Sequence, residues 1–285
     1  MHKTMLVAAA ALAVSACGED NSAKGASGLS ADSAAAMEGP PTATPARAAD
    51  VVAAAEIDCR TVKEQRAPAG QPADDIIGIR QGMGAEEVRA LLSCKNPNYV
   101  IEEQSGTISL AGGGEASEVS MKADTGLDRV SVHLIGPAGR EKVVHVARTV
   151  EYVEGSELPI AAIEQELERK YGRFDDDRRE NEGFIILARG GQRLGTGNSL
   201  YNQCRMRPDS YGSWHSIQSS KCGDVVRYRV EPHRENDDLA FRFSVGVTNF
   251  DEAAGLAAEA NKVAAQETQE ELDRAQEAAG QGIDL

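Results

Sequence analysis

Between Tyr99 and Val150, apolar residues recur at every second position, and this alternation constrains the fold more than any other feature of the chain. Tyr99 with Ile101, Ile108 with Leu110, and Val119 with Met121 each place two side chains on one face of an extended segment. Val130, Val132 and Leu134 do the same, as do Val144, Val146 and Val150. GGGE and GPAG mark turns between the segments. Gly136-Pro137-Ala138-Gly139 predicts the hairpin connection of the last two strands. A run of short-linked strands, each with one apolar face, requires a layer to cover that face.

The covering layer is legible on either side. In GMGAEEVRALL, Val88, Leu91 and Leu92 lie at helical spacing, with Met83 upstream. Gly84 is an acceptable N-cap, Glu87 suits the first turn, and Asn96-Pro97 stops the helix. A second helix is predicted in SELPIAAIEQELERKYGRF, with Ile160, Ile163, Leu167 and Tyr171 on one stripe, Pro159 in its first turn and Gly172 closing it. Glu166 and Lys170 are spaced for an i,i+4 pair. Strands resume at 184–188, around 199–206, at 225–230 and at 239–247, the last two as a hairpin across EPHRENDD. The order helix-then-strands thus occurs twice, and Val88, Leu92 and Tyr99 map onto Ile163, Leu167 and Phe174 at a constant spacing. The expected class is α+β: two tandem helix-plus-antiparallel-sheet units, 56–154 and 155–250, with helices against one face of the sheet.

The flanks differ in composition. Residues 17–55 are rich in Ala, Ser, Gly, Pro and Thr and read as a disordered tether, because so little apolar surface cannot offset the cost of ordering. Residues 251–285 are rich in Ala, Glu and Gln and predict a surface helix and tail whose apolar stripe (Leu256, Val263, Leu272) is thin. No a/d heptad is sustained there.

The first sixteen residues have the form of a leader: Lys3, then the apolar run 6–14, too short to span a bilayer, then small residues. Val14-Ser15-Ala16-Cys17 resembles the lipobox of bacterial lipoproteins. The resemblance implies cleavage before Cys17 and acylation of its sulfur and new amino terminus, an anchor that holds stably when two or more chains are present. It implies a protein fixed to the envelope membrane and facing the periplasm, with Gly18 pointing to the outer rather than the inner membrane. The net charge of −15 excludes nucleic acid as a partner and offers anionic lipid no polybasic patch, so membrane contact must come through Cys17.

Four further cysteines, Cys59, Cys94, Cys204 and Cys222, are an even number in an exported chain and suggest disulfides. None forms C-x-x-C. Of three pairings, Cys59 with Cys94 and Cys204 with Cys222 is favoured because each pair falls within one of the two expected units.

GIRQGMGAEEVRALL, through Gly82, Met83, Gly84, Glu87, Val88 and Leu92, resembles envelope-assembly lipoproteins of the SmpA/OmlA type and the fold of the beta-lactamase inhibitor protein. That likeness implies two tandem helix-plus-sheet units and a binding or scaffolding role without catalysis. Gly84 stands where Ser or Thr is usual, and Cys94-Lys95 where the pattern has Leu-Gly-x-Pro.

Catalytic signatures are lacking: there is no H-E-x-x-H, no G-x-S-x-G and no phosphate-binding glycine loop. No catalytic residue, metal ligand or cofactor is assigned. His133 and His145 flank the GPAG turn on neighbouring strands, without further ligands at fixed spacing. DDDRRE, 175–180, lacks the alternation and glycine of a calcium loop and reads as a solvated loop. The segment between Cys204 and Cys222 concentrates Tyr211, Trp214 and His215, with Arg205 and Arg207 nearby. Aromatic and Arg side chains on a pinned loop are typical interface anchors, so these five are the candidate partner-binding residues, with burial of Trp214 in the core as the alternative. Three functions are compatible with this reading: a lipid-anchored periplasmic binding or envelope-assembly protein, an exported hydrolase acting on cell wall or polysaccharide, and an inhibitor of a periplasmic enzyme.

Overall fold

The computed structural model describes residues 50–51, 57–67, 73–110, 114–177, 181–205 and 221–280. They belong to the unit Arg47–Leu285.

Helix α1 (Ala85–Lys95) buries Val88, Leu91 and Leu92, one stripe at helical spacing. Its start is fixed by the Glu87 carboxylate, which accepts the Gly84 N–H at 2.8 Å. Four strands follow as a meander: β4 (Val100–Ser109), β5 (Glu115–Asp124), β6 (Asp128–Gly136) and β7 (Lys142–Glu151). They are numbered after three short strands that precede α1, β1 (Asp50–Val51), β2 (Asp75–Ile76) and β3 (Ile79–Arg80). The GPAG turn joins β6 to β7, with Arg140 donating its N–H to the Pro137 carbonyl at 2.9 Å. Helix α2 (Ile160–Tyr171) buries Ile163, Leu167 and Tyr171 and stops at Gly172, whose φ of 92° is ready for a glycine. Then come β8 (Asp175–Asp177), β9 (Glu182–Ala188), α3 (Ser199–Arg205), β10 (Cys222–His233), β11 (Asn236–Asn249) and α4 (Phe250–Gly280).

All the long strands belong to one antiparallel sheet of nine, in the order β1-β4-β5-β6-β7-β11-β10-β9-β8. The two strand series meet where β7 pairs with β11, with Val150 opposite Phe243 and Val146 opposite Val247. Alternation splits the sheet's apolar residues between two faces. One face carries Met121, Val132, Leu134, Val226, Tyr228 and Val247 and is covered by α1, α2 and the hairpin β2–β3. The other carries Ile135, Val144, Phe184, Ile186 and Val225 and is covered by α3 and the first turns of α4. The expectation of helices on one face only is therefore corrected. Phe250, Ala253, Leu256, Ala257 and Ala260 are all buried, so the thin stripe of α4 suffices to seat its first three turns. From Ala265 to Ala278 every residue of α4 is exposed.

Three local expectations also change. The strand expected around 199–206 is helix α3: Asn198 Oδ1 accepts the Leu200 N–H at 2.8 Å, and Tyr201 and Cys204, three residues apart, face the core together. The loop expected at 175–180 contains strand β8, which pairs with Glu182–Phe184 at the sheet's edge, where charged side chains are tolerated. Lys170 does not pair with Glu166, which takes Arg169 instead; Lys170 reaches across to Asp75.

Cys59 is bonded to Cys94 and Cys204 to Cys222. The first bond ties the segment before the hairpin to the last turn of α1, and the second ties α3 to the start of β10. Among the described residues no helix is long and apolar enough to cross a membrane.

Candidate functional site

The hairpin β2–β3 turns through Ile77 and Gly78, both with positive φ (50° and 89°). Two consecutive positive φ angles make the tight connection that suits a two-residue hairpin, and Gly78 accepts its angle without cost. A β-branched residue does not. What holds the turn is Asp75, almost fully buried: its Oδ2 accepts the Gly78 N–H at 3.1 Å. Asp75 also binds the end of α2. Lys170 Nζ donates to Asp75 Oδ2 at 2.9 Å and to the Asp75 carbonyl at 2.8 Å, and the Tyr171 hydroxyl donates to that same carbonyl at 2.8 Å. Burial, and then the neighbouring Asp75 and Asp74 carboxylates, push the Tyr171 phenol up, so it remains a donor.

This strap holds hairpin and helix as two walls of a cleft whose floor is β7 and β11. The cavity measures about 370 Å³, within the range of small-molecule sites. Its apolar lining includes Ile76, Ile77, Leu158, Ala162, Ile163, Leu167, Phe243 and Val245. Four charged side chains line it as well, Arg148, Arg169, Lys170 and Glu166, together with Tyr152 and Tyr171. Arg148 is anchored from behind: its Nε and Nη2 each donate to Asp128 at 2.9 Å, while Tyr99 donates its hydroxyl to Asp128 at 2.7 Å. Burial raises the Tyr152 phenol above its ordinary pKa, against a smaller opposing effect of the Arg148 charge.

Beside the cleft the surface is apolar. Six large apolar side chains stand exposed among the described residues, and four of them are Leu127, Val153, Leu158 and Phe241. Backbone hydrogen bonds gather them at one end of the sheet. Glu151 donates to the Leu127 carbonyl, Tyr152, next to Val153, to Phe241 and Ala240 to Leu158, while Val100 points away from the face on which its neighbour Ile101 packs. An exposed apolar cluster next to a cavity is where a partner or ligand gains most from leaving water.

The histidines lie on the opposite face. His133 and His145 are direct cross-strand partners with ring centroids 5.8 Å apart. His145 Nδ1 is 2.8 Å from Thr248 Oγ1, and His133 Nδ1 lies 3.7 Å from a Glu118 carboxylate oxygen. Burial, with repulsion from His133 second, pushes the His145 imidazole down to about 3, so it is neutral at physiological pH. Among the described residues no cluster of three or more His, Cys, Asp or Glu is arranged to hold a metal ion.

Of the residues singled out on sequence, Cys17, Arg207, Tyr211, Trp214 and His215 lie outside the described residues, and so does the side chain of Arg205, the last residue of α3. The cleft was not anticipated. Its walls come from positions 76–77, 148–171 and 243–245, which no local pattern relates. Compared with family models, with curated proteins and with solved structures, the chain matches none.

Proposed function

We propose that this chain is a lipid-anchored binding module of the bacterial envelope, processed before Cys17 and held by acyl chains with its body facing the periplasm, at the outer membrane in preference to the inner. In this reading residues 18–55 are the tether, and the body binds another envelope component in an assembly or scaffolding role. The observation that carries the binding role is the apolar end formed by Leu127, Val153, Leu158 and Phe241 beside an open cleft. Two disulfides agree with an oxidising compartment.

The tandem organisation expected from the SmpA/OmlA and beta-lactamase inhibitor likeness belongs to the same proposal. Helices α1 and α2 begin at Ala85 and Ile160, and the strands after them at Val100 and Asp175, seventy-five residues on in both cases. The strand order is also symmetric about the β7–β11 pair, running β4 to β7 and then β11 to β8. Both support duplication of one helix-plus-four-strand unit.

The anchor is tested by fractionation and intact mass. The wild-type chain is expected in the membrane fraction with an acylated Cys17, and Cys17→Ser in the soluble fraction. An unmodified Cys17 thiol on a protein released by washing overturns the anchor. The binding role is tested by crosslinking in cells: Trp214→Ala and Phe241→Glu, if they fold, are expected to lose a crosslinked envelope protein that the wild type captures.

A further inference from the structure

We infer that the cleft between α2 and the hairpin β2–β3 is a binding site for a single aliphatic chain ending in a carboxylate. The inference rests on reading the chain as a binding module, and it is independent of the anchor and of any protein partner.

Size and surface come first. A cavity of about 370 Å³ suits a small ligand, and its walls are largely branched aliphatic side chains, Ile76, Ile77, Ile163, Leu167 and Val245. Phe243 is its one phenylalanine, and the other two aromatic rings of the lining belong to Tyr152 and Tyr171. An alkyl chain gains from such walls by leaving water, at no cost in hydrogen bonds. Leu158 belongs both to the lining and to the exposed apolar end, so the apolar surface continues from the outside into the cavity.

The head group follows from the polar atoms that remain available. Lys170 and Tyr171 are committed to Asp75, and Arg169 to Glu166. Arg148 and Arg169 each pair through Nε and Nη2 and leave Nη1 out of the pair, and Arg148 is the less exposed of the two. The Tyr152 hydroxyl makes no hydrogen bond with any described residue, and it stays protonated because burial opposes ionisation. Arg148 and Tyr152 line the same cavity, Arg148 from β7 and Tyr152 from the position just after it. On its β7 side the cavity thus presents one charged and one neutral donor, whereas its one carboxylate, Glu166, stands on α2 and is paired with Arg169 through Oε2. A carboxylate accepts from both, whereas an ammonium head finds a guanidinium. The walls carry three cations and one carboxylate in a chain of net charge −15, so the cleft is locally the favourable place for an anion. Asp128, behind Arg148, tempers that attraction and keeps the ligand exchangeable.

Isothermal titration of the full chain carrying Cys17→Ser, with no detergent present, tests this. The probes are dodecanoate, dodecanol and dodecyltrimethylammonium, each below its micelle concentration. Dodecanoate is expected to bind saturably at one per chain, dodecanol about tenfold more weakly, and dodecyltrimethylammonium without saturation. Tyr152→Phe, which removes only the hydroxyl, is expected to weaken dodecanoate by about tenfold and leave dodecanol unchanged. Ala162→Trp, on the exposed side of α2 at the cleft, is expected to abolish dodecanoate binding with the melting temperature unchanged. No saturable heat with dodecanoate, undiminished binding in Ala162→Trp, or equal affinity for all three head groups overturns the inference. A negative titration with the crosslinked partner still captured removes the cleft's ligand and leaves the binding-module reading in place.

Discussion

Lys170 Nζ sits 2.9 Å from Asp75 Oδ2, joining residues ninety-five positions apart and fastening the last turn of α2 to the hairpin β2–β3. Asp75 is the buried partner and Lys170 the half-exposed one. The carboxylate also accepts the Gly78 N–H, so it organises both the turn and the cleft wall.

Removing either partner is unequal in effect. Asp75→Ala strips the turn of its acceptor and the ammonium of its counter-charge, and is expected to cost about 2–3 kcal/mol. Lys170→Ala leaves the Gly78 hydrogen bond in place and is expected to cost about half as much, since the partly solvated ammonium is screened. Urea denaturation of both single variants and the double variant measures the coupling, expected near 1 kcal/mol. Additive effects would show that the two residues act separately.

Ile77 carries backbone strain, with φ at 50° in a β-branched residue. Asn adopts this region readily and precedes Gly in the favoured two-residue hairpin turn. Ile77→Asn is expected to raise stability by about 1 kcal/mol in a denaturant titration while weakening dodecanoate, because it removes an apolar wall of the cleft. Loss of stability would mean that the packing of Ile77 outweighs its strain.

Asp224 sets a pH dependence. Burial, followed by the Asp74 and Asp251 carboxylates, raises it from 3.8 to about 6. A carboxyl whose pKa is higher folded than unfolded binds protons preferentially in the folded state. Its charge therefore costs stability above about pH 6, and the cost is relieved as pH falls from 6 towards 4. Asp224→Asn is expected to raise stability at pH 7 by about 2 kcal/mol and to flatten the slope between pH 4 and 6, both read from thermal melts across pH. An unchanged slope would assign that pH dependence to other groups.

The two disulfides close loops of different length, with separations of 35 and 18 residues. On the chain-entropy estimate they contribute about 4 and about 3 kcal/mol. Replacing Cys59 and Cys94 together by Ala is expected to lower the urea midpoint more than replacing Cys204 and Cys222. Because Cys204 is fully buried against β10, the second pair should also loosen α3, read as faster amide exchange at Tyr201.

Much of the secondary structure was written locally. Val88, Leu91 and Leu92 specify the buried stripe of α1, and Ile163, Leu167 and Tyr171 that of α2, because 3.6-residue spacing places them on one side whatever lies opposite. Period-two alternation did the same for β5, β6 and β7. Local pattern failed at 199–206, where a seven-residue helix is too short to establish a period and the Asn198 cap decided the outcome. For α4 it specified the helix but not the burial of its first three turns, since alanines read as surface until a sheet face is placed against them. The joining of both strand series into one sheet through β7 and β11 depended on edges meeting in space. So did the cleft: Asp75, Arg148, Tyr152 and Lys170 have no common period, and only the fold brings them around one cavity. Side-chain periodicity is a property of a single element, whereas a site is built where several elements converge, and the long-range contacts that set this convergence leave no spacing in the chain.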